Sequence, residues 1–289
     1  MSKVLVTGGG GFIGTALVEK LLVQGFDVTA FDLGVQLERN PPPEEADIYK
    51  GSILDENDLA TAMEGCDYVV HLAAALGVKR TEEKRLSTLT INIQGTVNLL
   101  EACVKNRVKK IAFSSSSEVY GEATNCTICE DEPLNPKSVY AITKMAGEEY
   151  LRAYKQRYGL DYSIVRFFNA YGPHQVAEFV LPKFVYLVQN GIPPNIYGSG
   201  DQKRTFCYVD DAAEGLFLAL VNDNANSEVF NIGNDHEPIT VGDLAEKIIR
   251  ISGRDITPNY IPMDESDRTA KRDIQNRVVD ITKAREKLG

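Results

Sequence analysis

The sequence lacks a dense Lys/Arg block, lacks an apolar run long enough to span a bilayer, and has 3 histidines in its whole length. Each shortage excludes a class of function. With 31 Lys and Arg against 41 Asp and Glu, the formal net charge is −10, and no basic stripe exists to track a polyanion. Nucleic acid is therefore not an expected partner. A small anion is still compatible, because a helix N-terminus and a few placed arginines hold phosphate on an acidic protein. A membrane-spanning helix needs about 20 apolar residues in a row, so no membrane is expected either. The opening "MSKVLVTGG" enters an apolar strand at once, without the charged flank, apolar core and cleavage site of an export signal. Five unevenly spread cysteines then read as free thiols, and the cytoplasm is the expected compartment. "CTIC" (Cys126, Cys129) supplies two of the four ligands of a structural zinc, and no second pair or nearby His completes the set. It reads as a chance pair of loop thiols, and no metal site is expected. His71, inside the apolar "YVVHLAA", reads as a structural histidine rather than a base.

What is present is an alternation. At 289 residues and 43% hydrophobic, the chain can bury a large core. "KVLVTG", "DVTAFDL", "DYVVHLAA", "KKIAFSSSS" and "DYSIVRFF" read as strands. "FIGTALVEKLLVQG", "INIQGTVNLLEACVKN" and "SVYAITKMAGEEYLRAYKQRYG" read as helices, with apolar residues three and four apart. Strands apolar on both faces, alternating with helices, predict a doubly wound parallel α/β sheet. After about Gly172 the pattern loosens into turn-rich segments with two further helices. This predicts a division into 1–172, a Rossmann-like unit, and 173–289, a smaller substrate lobe interleaved with it. "RNPPPEEAD" predicts a surface loop, since consecutive prolines fit neither a central strand nor a helix interior.

"TGGGGFIG" follows the first strand and opens the first helix. Gly9-x-Gly11-x-x-Gly14 and Gly8-x-x-Gly11-x-x-Gly14 both fit a dinucleotide fingerprint. In either spacing, glycines let the backbone turn tightly and approach a pyrophosphate without Cβ obstruction. Asp32 closes the second strand, near the separation expected of a carboxylate that binds the adenosine ribose. A carboxylate there repels a 2′-phosphate, and no Arg or Lys immediately follows, so the expected cofactor is NAD rather than NADP.

Tyr140 and Lys144 stand four apart at the start of a predicted helix and share a face. An ammonium beside a phenol favours phenolate, which accepts a proton from a substrate hydroxyl. Ser116, at a strand's carboxyl end, is placed to hold that hydroxyl. With "TGGGGFIG", Asp32, "VVHLAA", "INIQGTVNLLEAC", "SSSSEVYG", "SVYAITK", "RFFNAYGPHQ", "GDQKRTFCYVDDAAEG" and "DITKAREKLG" in this order, nearly the whole chain resembles the NAD-dependent nucleotide-sugar epimerase/dehydratase family of the extended short-chain dehydrogenase/reductases. The resemblance implies that Gly8, Gly11 and Gly14 are the phosphate-loop glycines. It lines the cofactor further with Phe12, Ile13, Leu33, Ser52, Ile53, Leu72, Ala73 and Ala74. Tyr140 becomes the base, Lys144 its partner and a ribose ligand, and Ser116 the hydroxyl holder. Ser117, Asn169, Val180, Arg204 and Arg268 fall to a nucleotide-diphosphate sugar, with Arg272 and Arg277 close behind Arg268. A homodimer through the second and third helices is also implied. The chain stops at "KAREKLG", where the family usually continues, so the resemblance implies either a truncated chain or an unusually short lobe.

Within that family the shared first step gives a 4-keto sugar, and the next step divides it. Glu118 stands where dehydratases and nucleotide-sugar decarboxylases carry a glutamate and epimerases carry a small or hydroxyl residue. Ser116-Ser117-Glu118 is similar to the Thr-Ser-Glu of GDP-mannose-type dehydratases and uronate decarboxylases, and the Asp of the dTDP-glucose type is absent at Ser117. A 4,6-dehydratase or related decarboxylase is therefore the expectation, for which Arg277 is a candidate uronate cation. A UDP-glucose 4-epimerase-like activity is the alternative. A non-catalytic NAD-sensing module fits the intact Tyr140/Lys144 pair poorly, and a simple dehydrogenase fits the pyrophosphate-directed arginines poorly.

Overall fold

The computed structural model describes residues 1–123, 125, 127–265 and 274–289, and its largest element is a seven-stranded parallel sheet. In chain order the first half runs β1 (Lys3–Thr7), α1 (Phe12–Val23), β2 (Asp27–Asp32), α2 (Gly34–Arg39), β3 (Asp47–Lys50), α3 (Glu56–Ala62), β4 (Tyr68–His71), α4 (Val78–Glu83) and α5 (Arg85–Leu89). A π-helical turn (Thr90–Gln94) then joins α6 (Gly95–Lys105), β5 (Lys110–Ser116), a 3-10 turn (Ser117–Tyr120), α7 (Val139–Tyr158) and β6 (Asp161–Phe167). The second half adds β7 (Ala170–Tyr171), α8 (Val180–Gln189), β8 (Asn195–Tyr197), β9 (Lys203–Arg204), β10 (Cys207–Tyr208), α9 (Val209–Val221) and β11 (Glu228–Ile232). It ends with β12 (Ile239–Thr240), α10 (Val241–Ser252), β13 (Asn259–Ile261), β14 (Asn276–Arg277) and α11 (Thr282–Leu288).

The sheet order is β3-β2-β1-β4-β5-β6-β11. Side chains alternate across it, so in β1 Val4 and Val6 join a cluster with Leu17 of α1, Leu216 of α9 and Leu288 of α11. Leu5 faces the other way, into Leu59 of α3, Leu99 of α6 and Leu151 of α7. Burial on both faces is why β1 is apolar throughout instead of alternating. This is the doubly wound, Rossmann-like class expected from the strand-helix alternation. The chain winds outward from β1 to β3, then crosses back and winds the other way from β4, so the order reverses between β1 and β4. Ligands of open α/β sheets bind beyond the strand carboxyl ends at such a reversal.

Two strands escape the apolar-run reading. β3, "DIYK", is a largely exposed edge strand, and charge there discourages pairing with another chain. β11, "EVFNI", comes from the second half and pairs with β6 from Glu228↔Ser163 to Ile232↔Phe167. The proline-rich stretch is irregular between the end of α2 and the start of β3. A smaller cluster of Phe184, Ile196, Leu244 and Ala245 holds α8, β8 and α10 together. Among the described residues, no helix is long and apolar enough to cross a membrane.

Candidate active site

The turn between β1 and α1 is built entirely of glycine, and the spacing available to a Cβ explains why. Gly8 has a left-handed φ of +79°, and a Cβ on it would stand 2.7 Å from the backbone N of Ala73. A Cβ on Gly14 would lie 2.0 Å from the Gly8 carbonyl oxygen, and one on Gly11 3.0 Å from the same atom. Gly9 is also pressed, with a Cβ only 2.9 Å from Ala30. The positive φ marks Gly8 as the turn residue, and its carbonyl, which accepts the Gly11 N–H at 2.9 Å, is the pivot of the loop. Gly11 caps α1 with no side-chain hydrogen bond, so the helix N-terminus presents bare N–H groups beside Phe12 and Ile13.

Asp32 ends β2 and accepts from Gly10 N at 3.2 Å and Leu33 N at 2.8 Å. Burial raises its pKa, and these two backbone bonds oppose the rise. Leu72, Ala73 and Ala74 form the half-buried loop after β4, tied to β1 by Leu72 N and Ala73 N donating to Thr7 O. Ser52 follows β3, its N–H held by Asp58, and Ile53 is buried against Gly95. Ile53 thus faces the core, and its carbonyl accepts from Asn98 Nδ2 at 3.2 Å. A glycine cradle, an uncapped helix N-terminus and a carboxylate at the next strand end fit the pyrophosphate and ribose of a dinucleotide.

The second group gathers where β5 runs into α7. Ser116 closes β5, and its Oγ accepts from Glu118 N at 3.2 Å, opening the 3-10 turn that carries Ser117 and Glu118. Ser117 is buried and Glu118 half-buried. The Glu118 carboxylate accepts from Ser138 Oγ at 2.9 Å, and Ser138 is the N-cap of α7, accepting from Ala141 N at 3.1 Å. Glu118 is thereby fixed beside the helix that bears Tyr140 and Lys144 rather than pointing free into solvent. Lys144 is buried and donates to Ser114 O at 2.6 Å, with its Nζ 5.7 Å from the Tyr140 ring centroid. Burial brings its pKa down to about 7, against the opposing pull of Glu148. Burial, reinforced by Glu118, raises the Tyr140 phenol. The expectation that an ammonium draws this phenol toward neutrality is corrected here. Burial and the Glu118 charge both favour the neutral phenol, and the ammonium is turned onto the Ser114 carbonyl.

The substrate candidates of the second half cluster less tightly. Asn169 adopts a left-handed φ of 40° and donates from Nδ2 to Thr205 O at 2.7 Å, which sets it beside β9. Arg204 is buried, and its guanidinium donates to Ile274 O at 2.7 Å, Lys203 O at 2.7 Å and Gln275 O at 3.3 Å. It therefore fastens β14, and with it Arg277, onto β9. Val180 opens α8 and packs on the small cluster. Arg268, Arg272 and Cys126 lie outside the described residues. Cys129 is a half-buried free thiol. Among the described residues, no group of three or more His, Cys, Asp or Glu is placed to hold a metal ion.

His71 answers its structural reading in detail. Thr96 Oγ1 donates to Asn92 O at 2.7 Å, so it accepts from His71 Nε2 at 3.0 Å, which leaves Nδ1 to accept from Thr7 Oγ1 at 2.7 Å. Burial, then the Lys144 charge, pushes the ring pKa down to about 3 and keeps it neutral. Several site-building residues had no motif to announce them. Asn92 sits in the π-helical turn and clamps Ala75 by both its N–H and its carbonyl, while donating to Thr143. Glu82 accepts from Val139 N, adding a second carboxylate at the α7 N-terminus. Only Ser138, before an apolar helix, carried a readable capping signal.

The family described as NAD dependent epimerase/dehydratase matches residues 4–233. The chain belongs to that family. This epimerase/dehydratase member is 35% identical over 300 residues to the UDP-N-acetyl-alpha-D-glucosaminuronate decarboxylase of Bacillus cytotoxicus, covering 98% of this chain and 91% of that one. The UDP-N-acetylglucosamine 4-epimerase of Methanobrevibacter ruminantium, solved with UDP-N-acetylmuramic acid, superposes with a TM-score of 0.90 at 36% identity, covering 100% and 92% of the two chains. The dTDP-glucose 4,6-dehydratase of Streptomyces venezuelae, solved with NAD, superposes with a TM-score of 0.89 at 30% identity, covering 99% and 91%. The present family member is thus an NAD-dependent enzyme. Its relatives act on nucleotide sugars and divide among all three outcomes.

Proposed function

We propose that this enzyme oxidises the C4 hydroxyl of a nucleoside-diphosphate sugar and then works on the bound 4-keto sugar as a 4,6-dehydratase or related decarboxylase. The observation that carries the reading is Glu118. Its carboxylate is half-buried, held by Ser138 at 2.9 Å, and close enough to Tyr140 to raise its phenol. NAD, when bound over Gly8, Gly11 and Gly14 with its ribose on Asp32, supplies the means to take up and return a hydride. Phe12, Ile13, Leu33, Ser52, Ile53 and Leu72 to Ala74 border it, and Lys144 serves its second ribose. Ser116 holds the C4 hydroxyl, and Tyr140 accepts its proton only as phenolate, a form that the Lys144 ammonium has to stabilise against burial and the Glu118 charge. The ketone acidifies C5, and Glu118 removes that proton and passes it to the departing C6 hydroxyl, so that water leaves in the dehydratase outcome, after which the hydride taken from C4 returns to C6 and C5 is protonated. In the decarboxylase outcome a uronate carboxylate at C6 is lost instead, and Arg277 is the cation to hold it.

By the resemblance Asn169, Arg204 and Arg268 are the amide and two positive charges for the diphosphate, with Ser117 and Val180 flanking the sugar, and Arg204 serves it from a guanidinium already anchored on the Lys203, Ile274 and Gln275 carbonyls. In this reading residues 1–172 form the cofactor unit and 173–289 the interleaved substrate lobe. The protein is a cytoplasmic homodimer. α7 exposes Ile142 and Tyr150, an apolar stretch suited to packing helices across a two-fold axis. The 4-epimerase is the second reading, favoured by the 36% identity to an epimerase.

Product analysis separates the two. UDP-, GDP-, CDP- and dTDP-sugars are incubated with the NAD-loaded enzyme and with its Glu118→Gln variant, and the products are weighed by mass spectrometry. The wild type is expected to release a sugar lighter by one water or one carbon dioxide. Glu118→Gln keeps the shape but accepts no proton, so it is expected to stall after one oxidation, with the absorbance of reduced nicotinamide. Undiminished turnover of the variant to a C4 epimer overturns the dehydratase reading.

A further inference from the structure

Beneath Lys144 lies a buried ion pair that the reaction scheme does not use. Glu148 is 0% exposed and Arg166 3% exposed. The pair is bidentate, with Arg166 Nε donating to Glu148 Oε1 at 2.9 Å and Nη2 to Oε2 at 2.6 Å. Most of the remaining directions are occupied as well. Ser115 Oγ donates to Glu148 Oε1 at 2.6 Å, and Arg166 Nη1 donates to Tyr120 Oη at 2.8 Å and Glu130 O at 3.3 Å. Tyr120 in turn donates to Asn231 Oδ1 at 2.7 Å. The network joins β5, the 3-10 turn, α7, β6 and β11 at the place where the candidate catalytic side chains emerge.

Its cost makes a purely architectural role uneconomical. Taking two charges out of water is expensive, and apolar residues of similar volume are often as stable or more so. Its position suggests another purpose. Glu148 follows Lys144 by one helical turn, so both stand on the same face of α7. Ser115, which it grips, lies between Ser114, whose carbonyl holds the Lys144 ammonium, and Ser116, the hydroxyl holder.

We propose that the Glu148–Arg166 pair is a positioning device for Lys144, fixing through Ser115 the carbonyl that holds the ammonium and facing that ammonium with a buried negative charge. Among the described residues, the other groups around Lys144 do not supply that charge. β4 presents His71, held neutral, and β5 presents the Phe113 ring at 5.0 Å and the Ser114 carbonyl. The α5–α6 segment presents the neutral Asn92 and Thr96, and Tyr140 shares the face of α7. Glu118, from the 3-10 turn, acts on Tyr140. Arg152 touches Glu148 from the outside at 3.4 Å, and Arg166, from β6, adds the balancing positive charge.

The proposal rests on the proposed function only for what Lys144 does, so its test reads Lys144 directly. The full-length protein is labelled with 13Cε-lysine, the Lys144 resonance is assigned by its loss in Lys144→Met, and its titration is followed by NMR. Glu148→Gln removes the negative charge and leaves Arg166, so the midpoint is expected to fall by about one pH unit. Arg166→Met leaves the carboxylate unbalanced, so the midpoint is expected to rise by a similar amount. Shifts in the same direction, or no shift in folded variants, overturn the proposal. Either single variant leaves a buried charge without its partner and is exposed to misfolding. The doubly neutral Glu148→Gln/Arg166→Gln protein avoids that hazard. It is expected to titrate below wild type, because the nearer charge is gone, and an unchanged midpoint overturns the proposal equally. Formation of reduced nicotinamide with nucleotide sugars is measured in parallel. Opposite titration shifts without any such absorbance in wild type count against the reaction assigned to the site while leaving the positioning role supported.

Discussion

At the cofactor end of the cleft, backbone meets backbone. Gly8, Gly9 and Gly14 are each within a distance of neighbouring atoms that leaves no room for a Cβ, and the loop takes its shape from that exclusion. At the sugar end the shape comes from side chains that find partners far along the sequence. Ser138 reaches back 20 residues to Glu118, Arg166 reaches Glu130 and Tyr120, and Arg204 reaches Ile274 across 70 residues. The first kind of constraint tolerates almost no substitution, while the second allows one partner to change if the other follows. Such a division is compatible with a family whose members carry out different reactions on nucleotide sugars.

Tyr140→Phe tests the sugar end most severely. Removing the phenolic oxygen leaves no group to accept the hydroxyl proton, and a general base of this kind contributes about 10²–10⁴ in rate. NAD binding should be unchanged by calorimetry, because the ring stays in place. A parallel loss of NAD affinity breaks the division between the two ends. At the cofactor end, Gly14→Ala forces a methyl to within 2.0 Å of the Gly8 carbonyl oxygen, and the clash is with backbone. Overpacking of this kind costs about 1–3 kcal/mol or more, so both thermal stability and NAD retention should fall together. Gly25→Ala is the control. That position has nothing within 4 Å, and only its φ of +79° resists the change.

The contrast also explains which parts were legible from sequence. A glycine loop, a strand-terminal Asp32 and a Tyr140/Lys144 pair are local patterns, and the structure puts each where its spacing demands. β3 was missed because an exposed edge strand carries no apolar run, and β11 because its five residues lie far from the strands it joins. Glu118 was readable as a residue, but the Ser138 hydroxyl that holds it was not, since an N-cap declares only its bond to its own helix. Glu148 and Arg166 belong to no motif in the sequence. Only three-dimensional pairing reveals them as buried, and no periodicity records a partner on another element.

A smaller effect is expected at Asp32. Its carboxylate is already engaged by Gly10 and Leu33 N–H groups, so the proposed ribose contact would be one of several bonds that it makes. Loss of a hydrogen bond to a charged group costs about 1.5–3 kcal/mol, and Asp32→Ala should weaken NAD by roughly tenfold or more while narrowing its preference over NADP. Calorimetric titration with both nucleotides reads the two effects separately. Tighter binding of NADP than NAD by the wild-type protein overturns the assignment of Asp32 as the discriminating residue.

The mildest prediction concerns a group that belongs to both ends. His71 sits under the cleft between Thr7 of β1 and Thr96 of α6, with both ring nitrogens occupied. The ordinary histidine value of 6.5 is brought down to about 3 in the fold, chiefly by burial. Between these values the unfolded chain binds a proton that the folded chain refuses, so folding stability falls as pH drops from 6.5 toward 3 and is fully present above 6.5. Carboxylates contribute at the lower end of the same window, so the histidine must be isolated by difference. In His71→Asn the amide still reaches a hydroxyl but no longer titrates. Its urea-unfolding free energy should be lower than wild type at pH 7.5, where the native hydrogen bonds are intact, and the gap should narrow as the pH falls to 5. A gap that stays constant across that range means that His71 is not held neutral, and that the Thr7–His71–Thr96 chain is not the closed link between β1 and α6 that its geometry indicates.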